Sequence, residues 1–99
     1  MAKVLHINAQ TKKVEVTASA GLEDLQKLVG GYIERVGYVK GLGQSSLCVD
    51  EEGLMKSYDY GFTLDGHLFR GNGVVATLGE GHTTVNINAL AGRIEFVRF

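Results

Sequence analysis

Residues 47–62, LCVDEEGLMKSYDYGF, gather the side chains most able to do chemistry. Asp50, Glu51 and Glu52 stand together, and Tyr58 and Tyr60 flank Asp59. Consecutive acids raise two possibilities, a cation site or an acid–base pair. An EF-hand loop needs oxygen ligands at positions 1, 3 and 5 and glycine at position 6. Counted from Asp50, those last two positions are Leu54 and Met55, so the pattern fails. The stretch reads instead as a hairpin turn. Asp50 opens it, Glu51 and Glu52 fill its centre, Gly53 supplies a positive φ, and Leu54 resumes a strand. On this reading the acids point into solvent.

Other candidates are equally thin as catalysts. His82-Thr83-Thr84 is a single H-x-T, whereas two-histidine phosphoesterases need two, one histidine as base and one as acid. Neither His6 nor His67 completes a second copy, and the three histidines lack zinc-ligand spacing. GLGQSS (41–46) lacks the third glycine of a dinucleotide fingerprint and precedes a strand. Cys48, the single cysteine, lies between Leu47 and Val49 and reads as a buried, inert thiol. No enzyme, cofactor or metal site is expected. What remains is a polar and aromatic set: Tyr58, Tyr60, Arg70, Asn72, Asn86, Asn88 and Arg93. Aromatic rings stack on bases, asparagines read base or ribose edges, and arginine clamps phosphate. Together they form the candidate ligand site.

The elements that must position these residues follow from pattern. The 99 residues make one domain, 1–99, with 44% hydrophobic residues, 14 glycines and no proline. KVLHIN (3–8) and VEVTA (14–18) read as an opening β-hairpin. Leu22, Leu25, Leu28 and Val29 form one apolar stripe, which predicts a helix over about 20–29 with Ser19 as N-cap and Gly30-Gly31 as its stop. YIERVGYV (32–39) is a strand with Tyr32, Glu34, Val36 and Tyr38 on one face and Ile33, Arg35 and Val39 on the other. Strands follow at 47–50, 74–78, 83–88 and 93–99, with short strands or an irregular excursion between, and ALAG as a turn of helix. The expected fold is α+β: one helix on a mainly antiparallel, glycine-punctuated sheet, with a β-rich C-terminal half.

Ten basic and eleven acidic residues leave no excess to neutralise a duplex backbone, so duplex nucleic acid is not an expected partner. No apolar run nears the ~20 residues that span a bilayer, and the N-terminus lacks a secretory h-region. A cytoplasmic protein is expected, and its small size favours a homo-oligomer.

LEDLQKLVGGYIERV (22–36) followed by LCVDEEGLMKSYDYG (47–61) resembles the phage and plasmid family DUF3846. Leu22, Leu25, Gln26, Val29, Gly30, Gly31, Ile33 and Glu34 match one motif, and Val49, Asp50, Glu51, Glu52, Gly53 and Lys56 another. The resemblance covers roughly residues 1–60, and the chain departs from the pattern afterwards. It implies a small mobile-element protein in a bacterial cytoplasm, and no catalytic residues. The expected function is a non-enzymatic sponge for a nucleotide-derived immune signal, of cyclic dinucleotide or cyclic ADP-ribose type. The alternative is an inhibitor that binds a host protein, with Phe96 and Phe99 on a sheet edge.

Overall fold

The computed structural model describes residues 2–19, 21–53, 55–77 and 86–99. In chain order the elements are β1 (Ala2–Asn8), β2 (Lys13–Ser19), α1 (Leu22–Val29), β3 (Ile33–Tyr38), β4 (Ser46–Asp50), β5 (Tyr60–Leu64), β6 (His67–Arg70), β7 (Gly73–Ala76), α2 (Ile87–Ala91) and β8 (Ile94–Arg98). They build two sheets, β2-β1-β7-β4-β3 and β6-β5-β8, with every pairing antiparallel. The chain is α+β, as its patterning predicts.

Alternation along the central strands makes three layers. Val4, Cys48, Val74 and Ala76 face α1, where Leu25 and Val29 cover them. Their neighbours Leu5, Ile7, Leu47, Val49 and Val75 face the other way, onto Phe62, Leu64, Ile94 and Leu90. Because both faces are covered, β4 is buried at all five positions. Cys48 is buried as expected, and burial raises the pKa of its thiol against the weaker pull of Arg35. Among the described residues no helix is long and apolar enough to cross a membrane.

Four details depart from the sequence reading. The β1–β2 ladder runs on to Ser19, so Ser19 ends a strand and Gly21 takes the N-cap, without a side-chain cap bond. Leu22, at the first turn of α1, stays exposed. Asp50 to Gly53 is no hairpin tip, because β4 and β5 belong to different sheets and this segment crosses between them. Asn86 to Asn88, expected at the end of a strand, cap and begin α2 instead, with Asn86 Oδ1 accepting from the Ala89 amide at 3.2 Å. The rest of that expected strand, and His82, lie outside the described residues.

A bulge in β3 changes one face. The register shifts between Arg35 and Gly37, which sets Tyr38 opposite Ser46 on the α1 side. Tyr38 therefore joins Arg35, whose guanidinium lies 4.4 Å from its ring centroid, and not Glu34, which stands opposite Val49.

Candidate functional site

The end of α1 has to be glycine. Gly30 takes the left-handed conformation (φ 92°), and both Gly30 and Gly31 amides donate to the Gln26 carbonyl. One glycine suffices to stop a helix. The second answers to space: a Cβ on Gly31 would sit 2.8 Å from Lys56 Nζ and 2.9 Å from Asp50 Oδ1. A Cβ on Gly30 would meet the Tyr58 hydroxyl at 2.7 Å. His6 Nε2, on β1, lies 3.1 Å from the Leu28 carbonyl and ties this last turn to the sheet.

Asp50 is the hub. It ends β4 on the face that Ser46 and Cys48 share, so its side chain points under α1 and not into solvent, against the turn reading. A carboxylate there requires donors, and it has three. Lys56 Nζ and the Tyr58 hydroxyl donate to Oδ2 at 2.7 and 2.8 Å, and the Glu52 amide donates to Oδ1 at 2.9 Å. Lys56 also donates to the Gly30 carbonyl at 3.0 Å, which completes a link from the crossover to the helix end. Burial alone would raise the Asp50 pKa. The bonds from Lys56, the Glu52 amide and Tyr58 outweigh it and hold the carboxyl below its ordinary value. The bond to Asp50 raises the Lys56 pKa, and burial followed by that same carboxylate raises Tyr58.

Over this network lies an open groove of about 640 Å³. Gly30, Gly31 and Lys56 form its floor, Glu23, Gln26 and Lys27 one wall, and Tyr32 and Glu52 the other. Tyr32 is 67% exposed, a flat ring held at the rim. The groove offers a stacking surface, two cations and two carboxylates within one volume of ligand size. Tyr32 and Lys27 were not among the residues nominated from sequence. The signal was available in the helix period, which places Glu23, Gln26, Lys27 and Gly30 on one side of α1.

The nominated set is brought together only in part. Tyr58 and Tyr60 pack at 5.4 Å between ring centroids, and Arg70 Nη1 reaches the Tyr58 carbonyl at 3.4 Å. Arg70 also lies 4.1 Å from the Phe99 ring centroid. Asn72 accepts from the Ala9 amide at 2.8 Å and anchors the start of β7. Arg93 bonds Asp65 through Nε and Nη2, at 2.9 and 2.5 Å, and the Lys40 carbonyl through Nη1. Asn86 caps α2, and Asn88 is exposed on it. Among the described residues, no three His, Cys, Asp or Glu side chains converge as a metal site requires.

The family model described as "Domain of unknown function (DUF3846)" matches residues 2–96. It runs through the second half of the chain too, beyond the point where the motif resemblance stops. No curated protein and no solved structure matches the chain. The two motif segments, 22–36 and 47–61, meet at one place, around Asp50 and the helix end. With almost its whole length matched, the chain belongs to the DUF3846 family.

Proposed function

We propose that this protein is a non-enzymatic binding protein that holds a small polar ligand of nucleotide type in the groove at the end of α1. The observation that carries the reading is the groove itself: an exposed tyrosine, two lysines and two glutamates converge over a glycine floor. A nucleotide presents a ring to stack, phosphates for the lysines and hydroxyl or amino donors for the glutamates. Catalysis by the Asp50 network is disfavoured on electrostatic grounds. General acid–base work needs a group poised near the working pH. Here each partner's pKa moves away from neutrality, with Asp50 held ionised and Lys56 and Tyr58 held protonated. In the setting the family resemblance suggests, such a protein would sequester a nucleotide immune signal in a bacterial cytoplasm, as an oligomer.

Calorimetric titration with cyclic dinucleotides and cyclic ADP-ribose tests this. The wild type should bind at least one of them, and Tyr32→Ala should lose about 1–3 kcal/mol of that affinity, the worth of one stacked base. Silence from the whole panel would end the nucleotide reading.

One observation favours a second reading, inhibition of a host protein. β8 is an edge of its sheet, as that reading expected, and Phe99 at its end stays half exposed beside Arg70. A stoichiometric complex lost on Phe99→Asp but kept on Tyr32→Ala would favour it over the ligand.

A further inference from the structure

The groove at the end of α1 is poorer in free positive charge than its two lysines suggest. Lys56 is committed, because its ammonium donates to Asp50 Oδ2 and to the Gly30 carbonyl. Lys27 stands one helical turn from Glu23 on the same wall, so each tempers the other. With the buried Asp50 counted, two lysines face three carboxylates. Among the described residues no arginine lines the groove, and arginine forks are the strong clamps for phosphate. Phosphates alone would be poorly held here. Recognition has to come from the base.

The wall formed by Tyr32 and Glu52 is built for that. The Glu51 amide donates to the Tyr32 carbonyl at 2.9 Å, so Tyr32 extends the β3–β4 ladder by one residue. The Glu52 amide donates to Asp50 Oδ1 at 2.9 Å, and its carbonyl accepts from the Met55 and Lys56 amides at 2.9 and 3.0 Å. The backbone thus fixes an exposed ring and an exposed carboxylate side by side. Among the described residues the Glu52 carboxylate is paired with no other side chain.

A carboxylate only accepts hydrogen bonds, and does so through two adjacent oxygens. Of the common bases, guanine alone presents two adjacent donors on one edge, N1–H and the N2 amino group. Adenine and cytosine set an amino group beside a bare ring nitrogen, whose lone pair would face the carboxylate. Uracil sets its single N–H between two carbonyls. We propose that the groove selects guanine, with the base on the Tyr32 ring and Glu52 accepting from N1–H and N2–H together. This rests on the nucleotide reading above and narrows it. The ligand class is a guanine-bearing cyclic dinucleotide, and not cyclic ADP-ribose, whose base is adenine.

Calorimetric titration of the intact chain tests this with three cyclic dinucleotides, carrying two guanines, two hypoxanthines or two adenines. Hypoxanthine keeps N1–H and lacks the amino group. Affinity should fall from guanine to hypoxanthine to adenine, by about tenfold or more from first to last, as for one bidentate pair. Glu52→Gln places a donor beside an acceptor, which suits adenine. It should weaken the guanine ligand and strengthen the adenine one, a gain that damage to the fold would not produce. Tyr32→Ala should weaken all three alike. The adenine ligand bound as tightly as the guanine one would overturn the guanine assignment and leave the nucleotide reading standing. So would a guanine preference that survives Glu52→Gln, or binding of cyclic ADP-ribose alone. Binding of none of these nucleotides would end both.

Discussion

Two ion pairs among the described residues tie connecting segments to the rest of the fold, and they do so in different ways. Lys56–Asp50 and Arg93–Asp65 are both short, 2.7 and 2.5 Å, and each pins a connecting segment. The Asp50 side chain has no exposed surface and accepts from a lysine, a tyrosine and a backbone amide. Asp65 is half exposed at the tip of the β5–β6 hairpin and bonds one arginine. Water can replace the arginine at half-exposed Asp65, whereas the Asp50 side chain has no surface open to water. Distance therefore says little about what a pair contributes. What decides is how many groups are left unsatisfied when it breaks.

The sharpest way to break this comparison is to truncate both acids. Asp50→Ala strands the Tyr58 hydroxyl and the Glu52 amide, and should cost about 2–4 kcal/mol in urea unfolding. Asp65→Ala should shift the same midpoint clearly less, and equal shifts would refute the distinction. Next in size is the glycine floor. Gly30→Ala forces a left-handed alanine against the Tyr58 hydroxyl, for about 1–3 kcal/mol. Gly31→Ala should displace Lys56 and Asp50, visible as lost protection of the Glu52 amide.

Acid titration gives a smaller effect. The folded Asp50 pKa lies below its unfolded value, so the stability it supplies is full above about pH 4 and is lost as pH falls through the folded pKa. Asp50→Asn should flatten that acid limb more than Asp65→Asn does, in melts followed by circular dichroism. The smallest effect is that of salt. At about 1 M ionic strength the screening length is near 3 Å, so the Asp65→Ala penalty should shrink while that of Asp50→Ala holds.

Much of this fold was legible. Short apolar runs located the opening hairpin and β4, although Val16, which alternation turns inward, is exposed, and the apolar stripe with its double glycine located α1. In β8, Ile94 and Phe96 turn to the core and Val97 away from it, opposite Gly61, as the period of two requires. The bulge in β3 was not legible, because nothing in IERVGY marks where one residue drops out of register. Asp50 is the instructive miss. DEEG carries genuine turn chemistry, and the Gly53 amide does close a turn on the Asp50 carbonyl, though without the positive φ expected of Gly53, but the period from Cys48 already placed Asp50 on a covered face. A charge at a covered position announces a partner, and Lys56 and Tyr58 lay within a few residues. The split of the ligand set had no local signal. Asn72 and Arg93 bond residues 63 and 28 positions away, which only the tertiary fold brings near.

The central functional claim is that the groove over Gly30 and Gly31 is where a small ligand sits. Amide chemical shifts of the labelled chain, followed as cyclic dinucleotides or cyclic ADP-ribose are added, test it most directly. A ligand seated in this groove should give shifts that saturate and centre on Gln26, Gly30, Gly31, Tyr32 and Lys56. Saturating shifts centred instead on Tyr60, Arg70 and Phe99, or no shifts with any of these nucleotides, would contradict it.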